Sequence, residues 1–255
     1  MLEGKKGLVF GVANQRSIAW AITKSLSKAG AELAITCQDE KFAKKLDKLV
    51  QAELEKSPHI LMCDVQKDGD IQEVYNKVGS TLGDLDFLVH SIAYASREDL
   101  EGNFVDTSRD GFKLAMEISV YSLLAVVRPA LPIMKEGSSV LTMTYLGGQR
   151  VVPNYNVMGV AKAALESSVR YLAYELGEKG IRVNALSPGP VQTLSSRGIK
   201  GFSNFQDYFQ EKSPMKRNIE TEEIGDTAVF MCSHLSRGIN GEVIFVDTGY
   251  HITGL

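Results

Sequence analysis

Two side chains of complementary chemistry stand seven residues apart, in Tyr155-Asn156-Val157-Met158-Gly159-Val160-Ala161-Lys162. On a regular helix, seven residues return almost to the starting angle. Tyr155 and Lys162 would then share one face, about 10.5 Å apart along the axis, with Met158 between them. A phenol with a reference pKa of about 10 keeps its proton at neutral pH and donates a hydrogen bond. Donors aimed at a position where negative charge develops are a large catalytic term. Spacing alone leaves this pair open to chance, so its surroundings matter. Tyr145 follows the strand-like run 139–144, and 182–186 reads as another strand, followed by the rigid turn Ser187-Pro188-Gly189-Pro190. Both would end at the sheet edge where open α/β folds bind ligands.

A second constellation lies near the start of the chain. Gly11-Val12-Ala13-Asn14-Gln15-Arg16-Ser17-Ile18-Ala19 joins a strand-like run to a helical pattern. Such a turn is an anion site, because unpaired N–H groups and the helix dipole point into it. Gly11 permits the tight bend, and Ser17 can cap the helix with its hydroxyl also available to phosphate. Two glycines of the usual G-x-G-x-x-G pattern are missing. Gln38, after the second strand, can bind ribose hydroxyls, while Asp39 and Glu40 would repel a 2′-phosphate, an effect partly offset by Lys41. The balance favours NADH over NADPH. Asp64 could accept from an adenine amino group or cap the following helix, and Val65 could pack on the ring. His90 reads as a satisfied strand-end residue, with Ser91, Ile92 and Ala93 small or apolar enough for a cofactor to lie across the strand ends.

These residues need a frame, and the pattern supplies one. Seven strand-like runs (7–10, 33–37, 59–63, 86–90, 139–144, 182–186 and 242–246) alternate with amphipathic stretches. Each run is apolar on both faces, as in a parallel sheet covered by helices on both sides. The first helical stripe is Ile18, Ile22, Leu26 and Ala29. The second is Phe42, Leu46 and Leu49, with Lys41, Lys44, Lys45 and Lys48 on its solvated face. The expected fold is α/β, a single doubly wound Rossmann-type domain over residues 1–255 with a seven-stranded parallel sheet.

Composition excludes several classes. The 255 residues are 44% hydrophobic, and 28 Lys and Arg against 31 Asp and Glu give a formal charge of -3. That balance argues against nucleic acid as main partner. The most apolar stretch, 123–131, is broken by Arg128 and Pro129, so no membrane span is expected. The first six residues lead directly into a strand, leaving no room for a signal peptide's apolar segment. Three Cys (Cys37, Cys63, Cys232) are too few and scattered for a disulfide framework or a zinc cluster. Reduced core thiols, no metal and a cytoplasmic location are expected.

With these motifs assembled, the whole chain resembles the short-chain dehydrogenase/reductase superfamily, and within it the bacterial NADH-dependent enoyl-acyl carrier protein reductases. The most specific segments are 11–19, Tyr145-Leu146-Gly147 and Pro153-Asn154-Tyr155-Asn156-Val157-Met158-Gly159. Ordinary superfamily members carry a Tyr four residues before the Lys; here Met158 holds that place and cannot donate a proton. A ketoreductase needs its donor at the carbonyl that receives hydride. An enoyl reductase delivers hydride to the β-carbon, and charge develops on the more distant thioester oxygen. Moving the phenol from 158 to 155 displaces it about 4.5 Å along a helix, which is compatible with that longer reach.

The resemblance implies that Tyr155 is the donor to the enolate oxygen, that Lys162 binds the nicotinamide ribose and lends charge, and that Tyr145 assists beside the β-carbon. Gly11, Ser17, Ile18, Gln38, Asp64, Val65, Ile92, Lys162 and the segment Val191, Gln192, Thr193, Leu194 and Ser195 match cofactor contacts. Ala95 matches a substrate contact, and Tyr94, Leu100, Met158, Ile199 and Phe202 match the apolar pocket. Residues 193–205 would form a substrate flap. An acyl carrier protein thioester is the implied substrate, and the last strand with its apolar tail implies a homotetramer. The chain departs from the family pattern at Pro188, Ala93 and Cys37. The alternatives are a ketoreductase or alcohol dehydrogenase of the same superfamily, or a non-catalytic dinucleotide-sensing protein.

Overall fold

A computed structural model of the chain describes residues 1–193 and 202–254, with the backbone alone for 202–205. Its elements alternate as the pattern demands. They run β1 (Lys6–Phe10), α1 (Ile18–Lys28), β2 (Glu32–Cys37), α2 (Glu40–Glu53), β3 (His59–Met62), α3 (Asp68–Thr81) and β4 (Leu85–His90). After a short α4 (Arg97–Leu100) come α5 (Arg109–Met116), a π-helical turn (Glu117–Tyr121), α6 (Ser122–Ala130), β5 (Met134–Met143), α7 (Asn156–Gly177) and β6 (Arg182–Pro188). The chain closes with α8 (Phe202–Lys212), α9 (Thr221–Cys232) and β7 (Val243–Val246).

All seven strands are parallel, in the order β3-β2-β1-β4-β5-β6-β7. The strand order reverses between β1 and β4, so their carboxyl ends open a crevice at the topological switch point. On one face, Trp20, Ile22 and Leu26 of α1, Leu46 of α2 and Ile224 of α9 pack on Val9, Ile35 and Leu141. On the other, Val74 and Val78 of α3, Val126 of α6 and Leu165 and Val169 of α7 cover Leu8, Leu88 and Val140. A smaller third cluster (Leu100, Ala115, Val120, Val157, Met158, Ala161) stands apart from both. Trp20, the only tryptophan, is fully buried, and its indole N–H donates to Glu53 on α2 at 3.1 Å.

Two expectations need correction. The edge strands are not covered on both faces: His59 and Met62 of β3 are exposed, and every residue of β7 is half-buried. Edge position leaves one flank of each strand unpaired and less completely covered. β5 starts five residues early, at Met134, because Leu85 pairs with Met134 before a register shift brings Phe87 opposite Ser139. The continuous helical run Arg109–Ile133 is also long and apolar enough, by length and composition, to cross a membrane. Half of its most apolar stretch is buried inside the protein, where α6 packs on α3 and on β4 and β5.

Candidate active site

The turn after β1 is built from backbone geometry and short-range capping. Gly11 takes φ +91, and a Cβ there would lie 2.3 Å from the Ser91 carbonyl oxygen, so only glycine fits. Asn14 accepts from the Arg16 amide through Oδ1 at 2.8 Å and from the Ser17 hydroxyl through its carbonyl at 2.7 Å. Ser17 Oγ accepts from the Trp20 amide at 3.2 Å and caps α1 as expected. The same hydroxyl donates to the Asn14 carbonyl. Among the described residues, Asn14 Nδ2 is buried without a partner. Ile18 beside it is half-buried.

Gln38 stands exposed just past β2, and Asp39 caps α2 by accepting from the Phe42 amide at 3.0 Å. Asp64 is half-buried and accepts from the Gln66 amide at 3.2 Å. It does not cap α3, which begins after Lys67 with no side-chain cap. Val65 and Ile92 are half-buried against the second core cluster. His90 is fully buried between Thr142 Oγ1 at 2.9 Å and Ser122 Oγ at 2.8 Å, and burial lowers its pKa to about 3. It is a neutral, satisfied strand-end residue.

At the other end of the same edge, Tyr145 follows β5 and Tyr155 precedes α7. Their rings meet edge to face with centroids 5.0 Å apart. Burial raises the pKa of both phenols well above the ordinary tyrosine value, so both stay protonated donors. Lys162, only 4% exposed, donates from Nζ to the Met143 carbonyl at 2.7 Å, two residues before Tyr145. Burial pulls its pKa down to about 8, against the opposing pull of Glu166. The structure therefore gathers Tyr145, Tyr155 and Lys162 at the carboxyl end of β5.

The regular-helix arithmetic for Tyr155 does not hold in detail. Asn154 and Asn156 have φ of 62 and 37, in the left-handed region, and Tyr155 lies just before the helix. Asn tolerates that region better than most residues. Asn156 Nδ2 donates to the Leu100 and Gly102 carbonyls at 3.0 and 3.2 Å, which ties the start of α7 to the end of α4.

The expected apolar residues converge on the third cluster. Met158 (5% exposed) and Leu100 belong to it, and Ala93, Ala95 and Tyr155 pack against it. Tyr94 is exposed, but its backbone exchanges hydrogen bonds with Ser119 Oγ on the π-helical turn, at 3.0 and 3.1 Å. Val191 is buried, Gln192 donates to Gln206 of α8 at 2.9 Å, and Thr193 is half-buried. Leu194, Ser195 and Ile199 lie outside the described residues, as does the Phe202 side chain, though its backbone opens α8.

With this geometry in place, comparison with known proteins identifies the family. Residues 11–251 match the profile of a family described as enoyl-(acyl carrier protein) reductase. The chain belongs to that family. The enoyl-[acyl-carrier-protein] reductase [NADH] of Bacillus cereus is 50% identical over 254 residues, covering 100% of this chain and 99% of its own. An enoyl-[acyl-carrier-protein] reductase [NADPH] of Staphylococcus aureus is 46% identical over 250 residues, 98% of each chain. Among solved structures, the B. cereus reductase with NADP+ and indole naphthyridinone superposes with a TM-score of 0.97 at 51% identity, covering 100% of this chain and 99% of that one. The reductase of Anaplasma phagocytophilum in complex with NAD gives 0.93 at 41% identity, covering 100% and 94%.

Within this enoyl reductase frame, four supporting residues had been given no role by the sequence reading. Gly147 is one: a Cβ there would lie 2.5 Å from the Tyr155 ring and 3.2 Å from that of Tyr145. Asn156 and Ser119 are two more, through the bonds above. The fourth is Glu166, 5% exposed, which accepts from Thr144 Oγ1 at 2.8 Å and Gln149 Nε2 at 3.1 Å. Only Glu166 left a usable signal, an acid one turn beyond Lys162 on an otherwise apolar face.

Proposed function

We propose that the chain uses NADH to reduce the trans-2 double bond of an enoyl thioester carried by acyl carrier protein, in fatty acid elongation. The observation that carries this reading is the pair of protonated phenols, Tyr145 and Tyr155, meeting edge to face, with Tyr155 packed on the cluster that holds the buried Met158. A ketoreductase of the same superfamily would place its tyrosine at 158. The thioether there can donate no proton, and the apolar cluster around it suits an acyl chain.

The turn after β1 fits a dinucleotide. Gly11 lets the turn close against Ser91 and Ile92 at the end of β4, and among the described residues the Asn14 amide is a buried donor with no acceptor. Gly11, Ser17, Ile18, Gln38, Asp64, Val65, Ile92 and 191–193 are the described residues we assign to hold it, with Lys162 at the nicotinamide ribose. Bound there, NADH supplies the hydride for the β-carbon. Tyr155 donates its hydrogen bond to the thioester oxygen as negative charge develops, and its raised pKa keeps it in donor form throughout the working range. Tyr145 packs edge-on against that ring and limits its tilt. Lys162 keeps two ammonium protons beyond the one given to Met143, enough to engage ribose hydroxyls. Ala95, Tyr94, Leu100 and Met158 line the acyl path; Ile199, the Phe202 side chain and most of 193–205 lie outside the described residues. This reading takes 1–255 as one reductase domain. It also extends to a cytoplasmic homotetramer joined through β7 and the tail after it, supported by the half-buried Val243, Phe245 and neighbours.

The test follows NADH loss with a crotonyl thioester and, in parallel, an acetoacetyl thioester. Consumption with the first supports the reading, and consumption with the second alone overturns it. Light scattering after size exclusion checks the tetramer, and a monomer at assay concentration would remove that part.

A further inference from the structure

Glu166 lies outside every role assigned so far, yet it is a buried carboxylate at the heart of the site. It sits one helical turn beyond Lys162 on α7, and both side chains are almost wholly buried. Its two oxygens are taken by two different parts of the segment that leaves β5. Thr144, immediately before Tyr145, donates its hydroxyl to Oε1 at 2.8 Å, and Gln149 donates its amide to Oε2 at 3.1 Å. The carboxylate thus spans both flanks of the Leu146–Gly148 turn. Gly148 leaves the space this needs, since a Cβ there would lie 3.0 Å from both Oε1 and the Ala163 amide.

The charge has a counterpart. A buried ammonium is costly unless a negative charge stands near it. The other titratable groups of the site do not serve: His90 on β4 is held neutral by burial, and Tyr145 and Tyr155 keep their protons. Met143 on β5 offers only a carbonyl dipole. Glu166 is the group that opposes the loss of the Lys162 proton.

Resting on the reductase reading above, we propose that Glu166 is a positioning residue for the reaction. Its carboxylate clamps the turn that carries Tyr145 onto α7 and supplies the negative charge that balances the Lys162 ammonium. One side chain therefore sets both the placement of a phenol and the charge state of the lysine.

Two variants of the full chain separate these duties, read by NADH titration calorimetry and crotonyl thioester reduction from about pH 6 to about pH 9.5. Glu166→Gln keeps the size and removes the charge. The alkaline limb of NADH affinity is expected to move down by about one pH unit, giving near-parental affinity at about pH 6 and roughly tenfold weaker binding above the new midpoint. Glu166→Asp keeps the charge but withdraws it from Thr144 and Gln149. Its limb should stay in place while kcat falls by about threefold to tenfold. A uniform loss across pH in Glu166→Gln, or parental kcat in Glu166→Asp, overturns the proposal. If Glu166→Gln fails to fold, the Thr144→Val, Gln149→Ala double variant leaves the charge and removes both anchors. A displaced limb or parental kcat there is equally fatal. Should the parent protein reduce acetoacetyl but not crotonyl thioester, the enoyl reading falls, while the NADH titrations still decide the role of Glu166.

Discussion

The turn after β1 and the cluster at the carboxyl end of β5 lie along one sheet edge but are built differently. Around the turn, most side-chain bonds span two or three residues (Arg16 to Asn14, Trp20 to Ser17, Phe42 to Asp39), with Gly11 to Thr36 and Trp20 to Glu53 the long-range exceptions. At the β5 cluster they span 19 residues from Lys162 to Met143, 22 from Thr144 to Glu166, 25 from Tyr94 to Ser119 and 56 from Asn156 to Leu100. The first region is a local device that can lose one cap and keep its shape. The second is a network of buried charge and long-range contacts, whose members are coupled and should fail together.

That contrast can be broken most directly at Lys162. Lys162→Ala removes a buried ammonium and leaves Glu166 without its counter-charge, so kcat/KM for crotonyl thioester should fall about a thousandfold, roughly 4 kcal/mol, with weaker NADH binding. In the parent protein, NADH affinity should decline as pH rises through about 8, where the ammonium loses its proton. The cofactor-free protein behaves oppositely with respect to this group. The unfolded lysine holds its proton up to 10.5 and the folded one only to about 8, so its contribution to stability rises with pH between those values. Affinity that stays flat across this range would show that the ammonium is not what NADH meets.

Next in size is Tyr155→Phe, which keeps the ring contact with Tyr145 and deletes one donor. A loss of about a hundredfold in kcat is expected, with NADH affinity within twofold of the parent. Equal losses in both would place the phenol among the binding groups instead. Gly11→Ala probes the turn after β1: with φ +91 and the Ser91 carbonyl 2.3 Å from a Cβ, it should cost about 2 kcal/mol of stability. Denaturant titration measures that cost, and a neutral result would mean the turn yields more easily than its geometry implies. Smallest is Ser17→Ala, the loss of a single cap. It should cost about 1 kcal/mol, a fall of roughly 2–4 °C in Tm, and spare kcat. A large kcat defect there would erase the distinction between the two regions.

The same contrast explains what could be read in advance. The seven strands and the helices between them followed from apolar runs and stripes, since a sheet covered on both faces imposes that pattern on the chain. Ser17 was legible as a cap because its partner lies three residues away. Tyr145, Tyr155 and Lys162 stood out by residue type and spacing and through family resemblance, and the structure does gather them. The roles of Ser119 and Asn156 were not legible, because each acts through a partner 25 or 56 residues away, and that of Gly147 was hidden because it depends on the loop folding two rings against it. The uncovered flanks of β3 and β7 were missed for a related reason: strand order, not strand composition, decides which strands are edges. The irregular entry into α7 was hidden by helical arithmetic, which assumes that backbone dihedrals repeat.

Trp20 gives the molecule a built-in optical reporter. Its amide closes the Ser17 cap, its ring is sealed in the core, and its indole N–H is tethered to Glu53. Emission from this lone indole therefore samples the side of the β1–α1 turn and is blind, at first order, to events around the phenols. Loosening of that half during denaturation would register as a red-shifted spectrum, while damage confined to the opposite half would pass unseen until the whole sheet lets go.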